Sequence, residues 1–552
     1  MKKIFVPIIL FCLLISVTAQ NKQNSEYRKF EITKNLSVFN TVLRELDANY
    51  VDSLKYGELV KTGIDNMLMK LDPYTIYMPE EMNDDLKMMT TGEYAGIGAL
   101  IMQSNGKIII SEPYEGKPAQ LNDLRAGDEI LEVDGVSTKS KTSSDVSELL
   151  KGKNGTEITI KVARSGEKKP LIKKFLRQNI QFNPVSYTSV AGEKTGYLLL
   201  DDFTDKAAAE VKSVITDMVK KHQISSLIID LRDNGGGLVD EAVKIVGYFV
   251  PKGTEVVVTK GKSSQMDKTY RTPSEPIFPD MKLAVIVNRS SASASEILAG
   301  ALQDLDRAVI IGERTYGKGL VQSIRPVGYG GHVKVTTAKY YIPSGRCVQA
   351  LDYSHRNEDG SVGRIPDSLV STFKTKNGRL VRDGGGILPD SVTIDSRKLN
   401  ISYYLLMQNL YFDYATRYAQ KHEKIAPAAT FRLSDAEFKD FTDFVVNEKK
   451  FTYTTQTGKY FNQLLEVAGY EGLDEEAKAE FEALKAKLVP DVKKNMETNR
   501  KDIEDMLSTE ILKRYYFQKG QIEYTLRDDR EIKLAVDMLK NNNQYTKILS
   551  GK

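Results

Sequence analysis

Three short runs of apolar residues constrain this chain more than anything else in it. They are Ser226–Asp230, 283–287 and 308–311. A strand with one wet face alternates apolar and polar residues. A run without alternation reads as a strand buried on both faces, the pattern of a parallel sheet covered on each side. Helical patterns intervene at 206–221, 240–249 and 294–302, and the Pro-rich stretch 272–279 reads as a loop. Strands alternating with helices predict an α/β domain over residues 179–395.

The residues immediately after each run carry chemistry. After the first come Leu231-Arg232-Asp233-Asn234-Gly235-Gly236-Gly237. Three glycines let the main chain approach a ligand closely, and their N–H groups can serve an oxyanion. An anion nest or a plain tight turn reads from the same residues. After the second run come Asn288-Arg289-Ser290-Ser291-Ala292-Ser293-Ala294-Ser295-Glu296. A serine at a strand-to-helix turn is placed for nucleophilic attack, because the helix start offers unbonded N–H groups and the positive end of a dipole. The same serines also read as helix caps and small packing residues. After the third run come Gly312-Glu313-Arg314-Thr315-Tyr316-Gly317-Lys318-Gly319. A lysine is a general base only when neutral, and burial can lower its pKa by several units from about 10.4. A value near 7–8, reached by such burial, would suit proton abstraction from a serine. Gly312-x4-Gly317-Lys318 also matches most of a phosphate-binding loop. Position 319 is glycine, where that loop needs Ser or Thr for magnesium. Residues 320–324 read as strand where it needs helix, so a nucleotide-binding enzyme is set aside.

At 552 residues the chain predicts about three or four domains. Its charged residues, 78 basic against 74 acidic, nearly balance, which argues against a dedicated nucleic-acid binder while leaving a local basic groove open. Lys2 and Lys3 precede an apolar run from residue 4 to 17, shorter than the roughly 20 residues a membrane span needs. The run ends in Val17-Thr18-Ala19, which predicts a secretory signal peptide over residues 1–19 with a cut before Gln20. An uncleaved short anchor is the alternative. Cleavage takes the formal charge from +4 to +2 and leaves Cys347 as the only cysteine, so no internal disulfide can form. Cys347 reads as a packed residue. His222, His332, His355 and His422 are scattered without metal-ligand spacing, so no metal is expected.

The flanks read differently. Residues 25–90 are helical in pattern, with Leu36, Phe39, Leu43 and Leu46 on one face, broken at Leu71-Asp72-Pro73. Residues 91–178 begin with the glycine-rich stretch containing Gly96, Ile97, Gly98 and Ala99. They continue through a strand at 107–111, the segment Leu124–Gly135 closed by an Asp-Gly turn, a helix near 144–150 and a strand at Glu157–Ala163. This order resembles a PDZ domain, with Gly96, Ile97, Gly98 and Ala99 as the loop that takes a chain-terminal carboxylate while the peptide adds to the sheet edge. Residues 396–552 return to helix. There Ser434-Asp435-Ala436-Glu437 forms a capping box ahead of Phe438, Phe441, Phe444 and Val445 on one face.

Together these segments resemble the carboxyl-terminal processing peptidases, or tail-specific proteases. The resemblance spans about residues 30–395. It rests on "LDPYTIYM" at 71–78, the PDZ-like stretch, "LIIDLRDNGGG" at 227–237 and "SASASEILAGALQD" at 291–304. Further on it rests on "GERTYGKGLVQ" at 312–322, "YYIPSGR" at 340–346 and "GGILPD" at 385–390. It implies a multidomain α/β chain: a ClpP/crotonase-like serine-protease core, an inserted PDZ domain and helical N- and C-terminal regions. The implied boundaries are 1–19 leader, 20–90 helical, 91–178 PDZ, 179–395 peptidase and 396–552 helical. It implies Ser293 as nucleophile and Lys318, 25 residues later, as general base, with Gln322 orienting the lysine. Oxyanion N–H groups would come from Ala294 and from Gly237, with Gly236 as second choice. The chain departs from the family at "LNDLRAGD", where a glycine commonly precedes the leucine, which leaves the peptide groove in detail open. The implied partners are proteins with exposed C-terminal tails, with room for a homodimer and for an envelope adaptor protein. The implied location is the periplasm or cell envelope. No cofactor and no nucleic acid are expected. A noncatalytic PDZ scaffold is the rival reading, and loss of Ser293 or Lys318 would have favoured it.

Overall fold

The computed structural model describes residues 5–393 and 399–551, with side chains from residue 26 onward apart from residue 367. The predicted leader therefore lies outside the residues whose side chains are described. Among the described residues no helix is long and apolar enough to cross a membrane. The chain divides into two compact units, Met1–Tyr77 and Met78–Lys552.

The first unit is helical, as its periodicity predicts: α1 spans Phe5–Asn49 and α2 spans Tyr56–Met69. The apolar stripe on α1 stays open, with Leu36 63% and Phe39 47% exposed. The predicted break is real. Asp72 accepts the N–H groups of Tyr74 and Thr75, each at 2.8 Å, which turns the chain locally.

The second unit opens with α3 (Asn83–Thr91) and β1 (Glu93–Gly96). Then come β2 (Ala99–Ser104), β3 (Lys107–Pro113), β4 (Glu129–Val133), β5 (Glu157–Ala163) and β6 (Leu171–Leu176), with helix α4 (Ser143–Leu150) between β4 and β5. The sheet runs β2-β3-β4-β5-β6, so β2 is an edge strand. Its core is Ile97, Ile110, Leu124, Ile130, Val146, Leu150 and Ile160, among others. The Asp-Gly signal forms a two-residue hairpin turn, with positive φ of 49° at Asp134 and 80° at Gly135, as this turn type requires. Thr142 and Asp145 cap α4 reciprocally. β7 (Gln178–Gln181) pairs back with β1 and closes the insertion.

Beyond it, β8 (Val185–Val190), β9 (Thr195–Leu200), β10 (Ser226–Asp230), β11 (Lys282–Val287), β12 (Ala308–Gly312) and β15 (Ser391–Val392) form one sheet in that order. Only β8 is antiparallel to its neighbour. Between β12 and β15 in sequence, β13 (Leu320–Gly328) and β14 (Gly331–Tyr341) belong to a second sheet. Helices α5 (Ala207–His222), α6 (Val239–Val246) and α7 (Ala294–Asp304) cover one face of the parallel sheet over Leu227, Ile229, Leu283, Val285 and Ile310. The alternate residues Ile228, Ala284, Ile286, Val309 and Ile311 point to the other face. Two-sided cover is what the unbroken apolar runs required, and each such side chain contributes about 1.5–3 kcal/mol by burial.

The cover of that second face comes from far along the chain. Helices α8 (Leu410–Lys421), α9 (Asp435–Asp443) and α10 (Arg500–Leu526) build a separate aromatic core around Tyr411, Tyr414, Phe438 and Phe441. The last two helices, α11 (Arg530–Lys540) and α12 (Asn542–Ser550), return to the sheet. They lay Ile532, Ala535, Met538, Leu539 and Tyr545 on it.

Candidate active site

The carboxyl ends of β10, β11 and β12 are adjacent, which is where open α/β sheets place their ligands. The three loops singled out in sequence leave the sheet there. The turn after β10 is pinned at its base. Arg232 pairs with Asp230 (2.6 Å) and with Asp529 (2.7 Å), the residue that caps α11.

The serines of the second loop divide by what they touch. Ser291 is fully buried; its hydroxyl donates to the Leu231 carbonyl (2.7 Å) and accepts from the Asn288 N–H (2.9 Å). Ser295 is also fully buried and donates to the Asn234 carbonyl (2.9 Å). The Ala292 N–H reaches that same carbonyl at 3.0 Å. Ser291 and Ser295 thus stitch the serine loop to the glycine turn. Ser293 between them is partly exposed at the start of α7, with φ +57°. A non-glycine residue held there costs on the order of 1–3 kcal/mol, and such strain clusters at functional sites. Tyr340 on β14, 1% exposed, donates its hydroxyl to the Ser293 carbonyl at 3.1 Å.

Gly236 lies directly against this residue. A Cβ there would stand 2.7 Å from Ser293 Cβ and 2.9 Å from the Ala294 nitrogen, at φ +109°. Its own N–H donates to Asn234 Oδ1 at 2.8 Å. Gly237 bridges to Phe203 through two bonds, Phe203 N–H to the Gly236 carbonyl (3.0 Å) and Leu238 N–H to the Phe203 carbonyl (2.8 Å). The Gly237 N–H takes part in neither.

The third loop joins the second through a residue that sequence reasoning passed over. Glu296 is fully buried. Its Oε1 accepts from Thr315 Oγ1 (2.6 Å) and the Gly317 N–H (2.8 Å). Its Oε2 accepts from the Ser293 N–H (3.0 Å) and the Lys318 N–H (2.8 Å). The main chains of residues 293 and 318 therefore meet on one oxygen atom. Burial pushes the Glu296 carboxyl up, and these four donors pull against it. The available signal was the Ser-x-x-Glu spacing from 293 to 296, a capping-box pattern.

Lys318 is half-buried. Its flanking glycines are needed for space. A Cβ on Gly317 would stand 2.4 Å from Ala350 Cβ, and one on Gly319 would stand 2.7 Å from the Gln349 nitrogen. The Gly319 N–H donates to Gln349 Oε1 at 2.8 Å. The chain then enters β13, a strand as expected, and Gln322 on it donates to Thr336 Oγ1 at 3.2 Å. Cys347 is packed beside Gly319, and burial pushes its thiol up, which disfavours the nucleophilic thiolate.

Residues 194–353 match a family model described as peptidase family S41. Residues 109–164 match a PDZ domain, and 401–539 a C-terminal helical domain of probable PDZ-proteases. The carboxy-terminal-processing protease of Bartonella bacilliformis is 34% identical over 351 residues, covering 63% of this chain and 79% of that one. The chain belongs to peptidase family S41. A probable CtpA-like serine protease of Staphylococcus aureus (strain bovine RF122 / ET3-1) is 33% identical over 351 residues, covering 62% of this chain and 69% of its own. The solved photosystem II D1 C-terminal processing protease aligns over 56% of this chain and 83% of its own, at 31% identity with a TM-score of 0.34.

The resemblance read from the motifs thus holds. This S41 peptidase is a C-terminal processing serine protease with a PDZ domain and a helical C-terminal part. The S41 match encloses Gly236, Gly237, Ser293, Ala294, Lys318 and Gln322. The PDZ match starts after Gly96, Ile97, Gly98 and Ala99.

Proposed function

We propose that Ser293 is the nucleophile and Lys318 the general base of peptide-bond cleavage. The neutral Lys318 amine takes the hydroxyl proton as Ser293 Oγ attacks the scissile carbonyl. The N–H groups of Ala294 and Gly237 hold the oxyanion, each such donor contributing about 3–4 kcal/mol. The protonated amine then gives its proton to the leaving nitrogen, and water, deprotonated in turn by Lys318, hydrolyses the acyl-enzyme. Gln322, on β13 four residues after Lys318, orients the lysine. No step calls on a metal ion or a nucleotide.

One observation carries this reading: a single oxygen of Glu296 binds the main-chain N–H of both proposed partners. Two others support it. Ser291 and Ser295 are committed to packing bonds, and the bridge to Phe203 leaves the Gly237 N–H outside its two bonds where that of Gly236 is already used.

The PDZ domain captures C-terminal tails of protein substrates, through the free edge of β2 and the loop of Gly96, Ile97, Gly98 and Ala99. Export to the periplasm or cell envelope follows from Lys2, Lys3 and the apolar run behind them. The exposed stripe with Leu36 and Phe39 on α1 is surface that a second copy would cover.

Hydrolysis of reduced casein tests the chemistry. Ser293→Ala and Lys318→Ala each lose roughly a thousand-fold or more in turnover, because residues that act as a unit fail together. Near-normal turnover by Lys318→Ala removes the base, and by Ser293→Ala the nucleophile.

A further inference from the structure

The turn at Ser293 is strained, and its neighbours must enforce it. Its φ of +57° comes with ψ −113°, far from the left-handed well, which lies at ψ of about +47°. Two side chains hold its main chain. Glu296 accepts its N–H at 3.0 Å. Its carbonyl accepts the Ile297 N–H (3.0 Å), the first bond of α7, and also the Tyr340 hydroxyl (3.1 Å). The helix needs only the first of these two bonds, so the second serves something other than starting α7.

Tyr340 is buried in the same core as Ala294 and Ile297. β14, which carries it, is paired along both edges. β13 lies on one side, with Leu320 opposite Lys339, and the strand Glu255–Gly261 on the other, with Thr259 opposite Tyr340 itself. A side chain rooted on such a strand is held more precisely than one on a loop. The Tyr340 main-chain N–H donates to the Gly319 carbonyl at 3.0 Å, one residue past Lys318. A single residue thus bonds the serine loop with its side chain and the lysine loop with its backbone. Glu296 joins the same two loops with the opposite polarity. It accepts the N–H groups of residues 293 and 318, whereas Tyr340 donates to the carbonyls of residues 293 and 319. The two clamps come from different elements, α7 and β14, so a slide of one loop past the other breaks bonds to both.

We propose that Tyr340 is a positioning residue for the acyl transfer, a strut that holds Ser293 in its strained turn and, with Glu296, sets the separation of Ser293 from the Lys318 loop. It acts through Ser293 and exchanges no proton with the substrate. This rests on the assignment of Ser293 as nucleophile and Lys318 as base.

The test is Tyr340→Phe in the full chain. It keeps the ring and the main-chain bond to Gly319 and removes only the hydroxyl. The Ser293 carbonyl keeps the Ile297 N–H, so the thermal midpoint should fall by no more than about 4 °C. On a fluorogenic peptide kcat should fall about ten-fold with KM unchanged, the most that one neutral hydrogen bond supplies. Labelling of Ser293 by a fluorophosphonate should slow by the same factor. The pH profile of kcat/KM should drop in height and keep its midpoint, because Lys318 remains the titrating group. In a Glu296→Gln background the same substitution should cost less than about three-fold, since residues that act as a unit fail together. A folded Tyr340→Phe enzyme with kcat within about two-fold of wild type overturns the proposal. A moved pH midpoint also overturns it, by giving Tyr340 a part in proton transfer. A full ten-fold loss in both backgrounds removes the shared clamp. Near-normal turnover by Ser293→Ala or Lys318→Ala brings down the catalytic assignment itself, a separate failure.

Discussion

Glu296→Gln removes one acceptor oxygen while keeping the side chain's shape. The amide group must replace either Oε1, which serves Thr315 and Gly317, or Oε2, which serves Ser293 and Lys318. Either way at least one buried main-chain N–H faces an NH2 group. Each unsatisfied donor costs about 1–3 kcal/mol, partly offset because a neutral amide is easier to bury than a carboxylate. The thermal midpoint should therefore drop only a few degrees, since about 1 kcal/mol shifts a domain of 150–250 residues by about 2–4 °C. Activity should fall much further. Orientation of reacting groups is worth about 7–11 kcal/mol, and an error of about 1 Å costs on the order of a hundred-fold. We expect kcat on a fluorogenic peptide to drop roughly a hundred-fold with KM little changed. Labelling of Ser293 by a fluorophosphonate should slow in parallel, while circular dichroism stays native. A folded Glu296→Gln enzyme with kcat within about two-fold of wild type would refute the reasoning, because such a rate leaves no orientation energy for this carboxylate to supply.

The other substitutions separate chemistry from packing. Gly236→Ala forces a Cβ to 2.7 Å from Ser293 Cβ at φ +109°, so turnover should fall by at least about a hundred-fold in a chain that still folds; wild-type kcat would mean the turn moves freely. Ser291→Ala leaves the Leu231 carbonyl and the Asn288 N–H without this hydroxyl, so urea unfolding should show a loss of about 1–3 kcal/mol with catalysis retained, the reverse of Ser293→Ala. Glu112, 7% exposed, has an oxygen without a hydrogen-bond partner, and burial holds its carboxyl above the ordinary value. Glu510 adds to that upward push, and Lys513, Arg514 and Gln518 oppose it. Its contribution to stability is then fully present below the unfolded value of about 4.3 and lost as pH rises through the folded one. Glu112→Gln should raise the thermal midpoint at pH 7.5 and leave it unchanged near pH 4; a gain at low pH alone would reverse the sign.

How far the sequence carries depends on how local each signal is. The strands β10, β11 and β12 were legible because an unbroken apolar run needs cover on both faces. The source of the cover on the second face was not. Ile532, Ala535, Met538 and Leu539 show a helical face, but nothing local says that it meets Ile228 and Ile286, hundreds of residues earlier. The stripe on α1 is the converse: its spacing predicts burial, and Leu36 and Phe39 are exposed. The same limit governs the site. Ser-Ala-Ser-Ala-Ser presents three chemically equal hydroxyls, and spacing alone does not rank them; the family resemblance did. The physical distinction lies across the sheet, where the carbonyls of Leu231 and Asn234 take the hydroxyls of Ser291 and Ser295. Those carbonyls are available because β10 and β11 run parallel and in register, Asp230 beside Ile286, so that both loops leave the sheet on the same side. Glu296 obeys the same logic one strand further on. Within its helix it is an ordinary capping residue, and its second function exists only because β12 delivers residues 315–318 to the same edge. The proposed catalytic site is thus encoded twice: locally in glycine and serine, and again in polar bonds that come into being only with the sheet.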